Sequence, residues 1–405
     1  MNRDEDSDGR KSVVVESNFA KSVIGDVRVH LVRLPGMTNV FREEAAIVEV
    51  QTEDGVSGWA EANGLLLALK AHVEADRPHP RDRGPRAALV GQQFADVHAA
   101  VEALRSNTTL SGRSGLGRVA NGAIETALFD LAGRLDGVPA WHLLLGSAEG
   151  PEQHVITPYI TIFNRGSYPD VVAKAKEDID RARSFGYRHF KIEATSYNTD
   201  ERQAVTIVDE VRSHVGDSVT LFVDNVYRWA EYTAGAEAAK AYKSLGAEFL
   251  EDPFLPEQWE WWRRLRDEVG LPLATGGGME TLERFLAQME FANTDILQPG
   301  AHVAGLLGAH EVAQAAAKRV RSITPFGVSA TTLATGGALH LAAANPNVKY
   351  IEYAPANLFR VLRLRSDVTP DEPELRPDGT FLAPTTPGIG VDCDTDAIDK
   401  YRVSG

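Results

Sequence analysis

The spacing of hydrophobic and polar positions predicts two regions with different secondary structure. From about Val23, apolar and polar residues alternate on both sides of Glu53-Asp54-Gly55, which predicts antiparallel strands joined by a hairpin turn. Further on, apolar residues recur every three to four positions, most clearly over residues 121–135, which predicts amphipathic helices. The first 150 residues therefore predict an α+β unit.

From residue 151 to 355, short apolar runs alternate with helical segments. Eight such runs can be counted, and their nearly continuous apolar character is typical of parallel strands buried on both faces. This alternation predicts an α/β fold, specifically a (β/α)8 TIM-type barrel. We expect residues 356–405 to fold back on residues 23–150, so that the two segments form one α+β capping domain.

Four of the eight apolar runs end in a charged residue followed by a loop: Lys191, Asp224, Glu251 and Glu352. In a barrel these ends share one rim, where Asp224 and Glu251 would need a proton or a hard cation such as Mg²⁺ between them. We expect burial and neighbouring charge to lower the pKa of Lys191 toward that of a working base. The alternative is that each carboxylate caps a helix or pairs with an arginine.

Composition narrows the classes of function. The 405 residues are 43% hydrophobic and carry a formal net charge of −15, which argues against a nucleic-acid partner and favours a small molecule. The single cysteine cannot form an intramolecular disulfide, which fits a reducing cytoplasm. No apolar stretch reaches the ~20 residues of a membrane helix, and the polar start predicts a disordered tail over residues 1–22.

Motifs in the chain, taken in order, resemble one family. They are DGVSGWAEA, AIETALFDLAGRLDGVPAWHLLLG, GYRHFKIEA, LFVDNVYRW, FLEDP, PLATGG, DILQPG, ITPFG and PGIGVD. In this order and spacing they resemble the mandelate racemase and muconate lactonizing enzyme group of the enolase superfamily, over nearly the whole length after the tail. The resemblance implies a modified (β/α)7β barrel over residues 151–355, the capping domain described above, and a homo-oligomer, either a dimer or an octamer.

The resemblance also implies roles for the charged strand ends. Lys191 matches the first lysine of a KxK pair, Asp224 and Glu251 match the first two of three Mg²⁺ ligands, and Glu352 matches the acid of the eighth strand. In that family the metal binds a substrate carboxylate and stabilises the enolate that forms when a base removes the α-proton.

Four positions depart from the family pattern: Glu193 replaces the second lysine, Gly277 the third metal ligand, Gly300 an aspartate and Phe326 a histidine. The loss of one carboxylate predicts weaker Mg²⁺ binding unless another group replaces it, with Glu193 the leading substitute and Glu280 a weaker one. The loss of the histidine argues against a two-base racemase. Lys191 or Glu193 would then act as a single base, with His302 as a replacement acid.

The substrate is expected to be a small carboxylate that contacts Arg42 of the cap, Tyr159, Glu352 and Phe326. The predicted function is a lyase or isomerase that removes an α-proton beside this carboxylate, most nearly a dehydratase of hydroxy acids or acid sugars. Two alternatives remain open: a divergent enzyme on the same fold that works without metal, and a non-catalytic ligand-binding homologue.

Overall fold

The computed structural model describes residues 17–36, 43–75, 77, 79–80, 82–146, 155–163, 166–194, 199–358 and 363–403. Among these described residues, the N-terminal part contains a short helix, a three-stranded antiparallel sheet and five further helices. Their bounds are α1 (Asn18–Lys21), β1 (Ile24–Arg33), β2 (Glu44–Thr52), β3 (Ser57–Ala62), α2 (Leu66–Glu74), α3 (Pro85–Leu89), α4 (Val97–Asn107), α5 (Gly115–Asp136) and α6 (Ala140–Leu145). The predicted α+β character of this region is confirmed.

The predicted hairpin joins β2 and β3. Gly55 has φ +93°, a conformation that glycine adopts without steric penalty, and its N–H donates to the carbonyl of Thr52. The sheet packs on α5, and Gly58 shows how closely. A Cβ at Gly58 would lie 2.2 Å from the carbonyl oxygen of Ala127, so only glycine fits at this contact.

The barrel consists of eight parallel strands in the order β11-β10-β9-β8-β7-β6-β5-β12. The strands are β5 (Pro158–Phe163), β6 (His189–Glu193), β7 (Thr220–Asp224), β8 (Ala247–Glu251), β9 (Leu273–Thr275), β10 (Ile296–Leu297), β11 (Ser322–Ile323) and β12 (Ile351–Glu352). The N–H of Lys349 donates to the carbonyl of Ile323, and the N–H of Glu352 donates to that of Pro325. These bonds join the two end strands and close the predicted barrel.

Helices connect the barrel strands on the outside. They are α7 (Asp170–Ser184), α8 (Glu201–Val215), α9 (Tyr232–Ser244), α10 (Trp259–Val269), α11 (Leu282–Ala287) with a following π-helical turn (Gln288–Ala292), α12 (Ala301–Ala304), α13 (Leu306–Ala317) and α14 (Leu333–Ala344). Helix α8 begins with a capping box, in which Asp200 and Gln203 each accept a hydrogen bond from the other's backbone N–H.

The apolar run over residues 155–163 does not form one continuous strand. It forms two strands, because β4 (Val155–Ile156) pairs antiparallel with β13 (Phe381–Leu382), whereas β5 belongs to the barrel. The C-terminal part also contains α15 (Arg363–Val368) and α16 (Thr395–Lys400). Its last residues extend the N-terminal sheet, since Arg33 donates to the carbonyl of Tyr401 and Val403 to that of Leu31.

The predicted disordered tail is wrong for its last six residues. Residues 1–16 lie outside the described part, but α1 is folded, with Phe19 buried and Ser17 bonded to Asp136. Within the described part of the chain, every helix is too short or too polar to cross a membrane.

Candidate active site

The carboxyl ends of β6, β7 and β8 carry the polar side chains at the barrel mouth. Across the sheet, Glu193 pairs in register with Asp224, and Asp224 pairs with Glu251. One level deeper, Lys191 pairs with Thr161 of β5. Residues at the same level of a parallel sheet point to the same face, so these side chains converge.

The ammonium group of Lys191 lies at the centre of this cluster. Its Nζ is 2.7 Å from Oε1 of Glu251, 3.3 Å from Oδ2 of Asp224 and 3.8 Å from Oε1 of Glu352. All four side chains are nearly completely buried, and Thr161 donates a further hydrogen bond to Glu352. The convergence predicted from the strand ends is therefore present.

The electrostatics of the cluster correct one prediction. Burial lowers the pKa of Lys191, but the charges of Glu251 and Glu352 outweigh burial. The pKa of Lys191 therefore lies well above its ordinary value. The predicted lowering is therefore wrong for this arrangement, in which Lys191 is an ammonium. Burial and the charge of Asp224 raise the pKa of Glu251, and the same causes raise that of Asp252 to about 7. One ammonium does not neutralise this many buried carboxylates, so the cluster favours a further cation.

Asp252 provides a third carboxylate beside Asp224 and Glu251. Among the described residues, oxygens of Asp224, Glu251 and Asp252 lie within 4.8 Å of one another, and Glu193 is not a member of this group. Glu280 accepts hydrogen bonds from the backbone of Gly115 and from Arg284 and is not in the group either. Glu193 as a metal ligand stays a prediction.

The donor set of this group fits a hard divalent cation. Mg²⁺ binds carboxylate oxygens in near-octahedral geometry, and three oxygens at this spacing can belong to one coordination sphere. Asp224, Glu251 and Asp252 could therefore hold the metal that the sequence resemblance implies.

The other half of the barrel mouth is filled by closely packed, uncharged side chains. A Cβ at Gly277 would lie 3.6 Å from Cδ1 of Phe326, and one at Gly300 would lie only 2.8 Å from Cε1 of His302. The rings of His302 and Phe326 are 4.9 Å apart. Burial lowers the pKa of His302 to about 4, and neither of its ring nitrogens has a hydrogen-bond partner in the described part of the chain. A neutral imidazole thus occupies the space beside Gly300.

The predicted substrate-contacting residues differ in their accessibility. Tyr159 is completely buried, with its ring 5.3 Å from that of Phe222 and 5.5 Å from the Lys191 ammonium, so it lines the barrel interior beside the lysine. Glu352 is buried as well, whereas Phe326 is partly exposed. Arg42 lies outside the described residues. Contact of any of these with a substrate stays a prediction.

Two polar residues of this region were not found from the sequence. Gln298, just after β10, donates from Nε2 to Oε2 of Glu251 at 2.6 Å. Glu61 of the cap accepts hydrogen bonds from Ser329, from Thr331 and from the backbone of Ala330, and so joins the cap to the loop that follows Phe326. In the sequence, Gln298 is a polar residue at the end of an apolar run, but a single amide at such a position does not by itself predict a functional residue.

Comparison with known families and proteins gives consistent matches. The model of the mandelate racemase / muconate lactonizing enzyme N-terminal domain matches residues 25–146, and the enolase C-terminal domain-like model matches residues 171–397.

Relatives with known names cover most of the chain. A 3,6-anhydro-alpha-L-galactonate cycloisomerase of Streptomyces coelicolor is 25% identical over 391 residues, which are 94% of this chain and 100% of that protein. A D-gluconate dehydratase of Thermoproteus tenax is 27% identical, over 88% of this chain and 69% of its own length. The crystal structure of a Streptomyces coelicolor A3(2) racemase with bound magnesium superposes with a TM-score of 0.78 at 24% identity, covering 94% of this chain and 100% of that one.

Proposed function

Because this chain belongs to the mandelate racemase and muconate lactonizing enzyme family of the enolase superfamily, we propose that it removes a proton from the carbon beside a substrate carboxylate, as a lyase or an isomerase. The observation that carries this proposal is the Lys191 ammonium within 4 Å of three buried carboxylates at the strand ends. Strand ends are where TIM-barrel enzymes carry their reactive groups.

The names of the relatives support a class of substrate for this proposal. One is named for 3,6-anhydro-alpha-L-galactonate and another for D-gluconate, both of them sugar acids. We therefore propose a hydroxy acid or acid sugar as the substrate, with an oxygen leaving group on the carbon next to the α-carbon. The reaction is then a dehydratase-like β-elimination.

The elimination needs no oxidant or reductant. A base takes the α-proton, and the electron pair of the broken C–H bond is delocalised into the carboxylate and then forms a new C=C bond as the β C–O bond breaks. The β-oxygen leaves with the electron pair of its own bond and takes the proton back from the protonated base, which regenerates the base. Because the α-carbon of these sugar acids carries a hydroxyl, the product is an enol, which tautomerises to a 2-keto acid.

Two residues of β6 divide the proton and charge roles. Glu193 stands at the half-buried end of the strand, two residues beyond Lys191 on the same face, which suits it to accept the α-proton from a substrate above the cluster. Lys191 lies deeper and is bonded to Glu251, which suits it to place a fixed positive charge beside the substrate carboxylate. A divalent cation held by Asp224, Glu251 and Asp252 would take up part of the negative charge that develops on that carboxylate.

The opposite side of the barrel mouth supports elimination over racemisation. Gly277, Gly300 and Phe326 bring no proton-transfer group, and His302 is 1% exposed behind them. A second base on that face would be needed to invert the α-carbon. His302 as a replacement acid stays a prediction, as do the homo-oligomer, the cytoplasmic location and the absence of a nucleic-acid partner.

A screen for keto-acid formation tests the proposal. The full-length chain is incubated with Mg²⁺ and a panel of aldonates, aldarates and their anhydro and lactone forms, and the product is measured as its semicarbazone. We expect turnover of at least one of these acids and none with Lys191→Met. Absence of turnover across the panel, or equal turnover by Lys191→Met, would contradict the proposal. Activity that survives EDTA would instead support the metal-free alternative.

A further inference from the structure

Asp252 has a backbone conformation that its place in the sequence does not predict. It directly follows Glu251, so regular strand alternation would turn its side chain to the opposite face. Its φ of +46° lies in the left-handed region, which is uncommon for a non-glycine residue and occurs at turns, ligand contacts and active sites. With this conformation, a carboxylate oxygen of Asp252 comes within 4.8 Å of oxygens of both Asp224 and Glu251.

Hydrogen bonds from the two flanking strand ends hold Asp252 in this position. Thr275 at the end of β9 donates from Oγ1 to Oδ1 of Asp252 at 2.5 Å. After β7, the N–H of Tyr227 donates to the carbonyl of Asp252 at 2.7 Å, and the Tyr227 hydroxyl is hydrogen-bonded to the Asp252 carboxylate. Tyr227 itself has φ +58°, so its backbone is also in the left-handed region. Each carboxylate oxygen has two lone pairs, so these bonds leave room for a ligand.

Beside Asp224, Glu251 and Asp252, two further buried side chains, the Gln298 amide and the Glu352 carboxylate, each have an unsatisfied acceptor oxygen. In the described part of the chain, Oε1 of Gln298 and Oε2 of Glu352 have no hydrogen-bond partner, although both residues are 2% exposed. The Gln298 amide already contacts Glu251 through Nε2, and the other Glu352 oxygen lies 3.8 Å from Lys191. Buried acceptors are normally paired, and a hydrated divalent cation brings both positive charge and water donors.

We propose that Asp252 is the third carboxylate ligand of the divalent cation and replaces the ligand that Gly277 lacks. Tyr227 and Thr275 are positioning residues that hold the Asp252 carboxylate toward Asp224 and Glu251. This inference rests on the proposed function only in that both use the same cation. It assigns the third ligand to the loop after β8 and not to β6, where the sequence suggested Glu193.

Titration with Mg²⁺ alone, without any substrate, tests this assignment. Calorimetry on the full-length chain compares Asp252→Asn with Glu193→Gln, two variants that each replace one carboxylate with an amide at the carboxyl end of a barrel strand. We expect Asp252→Asn to weaken Mg²⁺ binding by at least ~100-fold, because it removes a charged ligand, and Glu193→Gln to change it by less than about threefold. Tyr227→Phe and Thr275→Val should each weaken binding by about 10-fold, the effect usual for groups that orient a ligand.

A second-site variant separates loss of a ligand from loss of the fold. A Cβ at Gly277 makes only ordinary contacts, so Asp252→Asn/Gly277→Glu returns a carboxylate to the barrel mouth, and we expect it to regain most of the lost affinity. Mg²⁺ affinity equal to the unaltered chain in Asp252→Asn, or lost in Glu193→Gln instead, would overturn the assignment. So would absence of binding to the unaltered chain at about 10 mM Mg²⁺, above the range of weak sites. Binding that depends on Asp252 without turnover of any sugar acid would contradict the proposed function alone.

Discussion

The half of the barrel mouth formed by β6, β7 and β8 and the half formed by β9, β10 and β11 share one backbone arrangement and have opposite chemistry. In the first half, Lys191 lies among Asp224 and Glu251, and Glu352 of β12 reaches the same ammonium from the barrel interior. In the second half, the Phe326 ring covers Gly277, and His302 fills the space beside Gly300. We call these the charged half and the packed half.

The difference shows that the packed half is not simply missing catalytic residues. The glycine at position 300 is required because His302 occupies the space that a side chain there would need. His302 in turn has lost the environment of a titrating base, since burial keeps it neutral. The charged half retains a cluster that is unfavourable without cations, which is typical of a site maintained for chemistry. Charged groups on one side and neutral, packed groups on the other favour chemistry on a single face of the substrate.

The largest effect should come from Lys191→Met in the charged half. Removing the ammonium leaves buried carboxylates uncompensated, so in EDTA the free energy of unfolding should fall by roughly 3–5 kcal/mol, and turnover should be lost. Lys349→Met is the matched control, because Lys349 pairs with Glu248 at an exposed position, where an ion pair contributes about 1 kcal/mol or less. Urea denaturation of both variants checks this. Equal losses would mean that the charged half is an ordinary set of ion pairs.

The packed half should show its own signature in the pH dependence of stability. The pKa of His302 is lowered by burial from 6.5 to about 4, so between these values the unfolded chain binds a proton that the folded chain does not. Stability should therefore fall as the pH falls through this window, by about 3 kcal/mol from this residue.

Replacing His302 with leucine should remove that part of the acid destabilisation, and His214→Leu, at a surface position beside Asp180, is the matched control. Denaturation curves at several pH values between 4 and 7 measure how the free energy of unfolding of each variant depends on pH. An unchanged slope in His302→Leu would show that the imidazole is accessible and protonated in the folded protein, and the contrast between the halves would then weaken.

A smaller effect separates the two glycines of the packed half. Gly300→Ala introduces a Cβ that would lie 2.8 Å from His302, so it should destabilise by roughly 1–3 kcal/mol through overpacking. Gly277→Ala makes contacts of 3.6 Å and longer, and neither glycine has a positive φ, so this change should be neutral or stabilise by up to about 1 kcal/mol. Equal effects of the two changes on the free energy of unfolding would contradict the packing described for this half.

The sequence predicts the barrel and the charged half well, for a physical reason. Parallel strands that alternate with helices must bring their carboxyl ends to one rim, so Lys191, Asp224 and Glu251 could be placed together from strand order alone. Asp252 could not be found in this way, because its contribution depends on a left-handed φ that breaks strand alternation.

The direction of the Lys191 pKa was predicted wrongly for a related reason. It depends on how close the carboxylates lie to the ammonium, and three of them lie within 4 Å of it. The substitutions in the packed half were visible in the sequence, but the way His302 fills the space beside Gly300 depends on side-chain packing. A pattern of residue types therefore predicts which groups meet and not how each is packed or charged.

The central claim, that proton transfer takes place on one face of the substrate, is tested most directly by turnover in D2O. The stereochemistry and deuterium content at the α-carbon are followed by proton NMR, with a sugar acid that the enzyme accepts. The account predicts β-elimination, or exchange of the α-proton for deuterium with retained configuration. Inversion at the α-carbon would require a second base from the packed half and would contradict it.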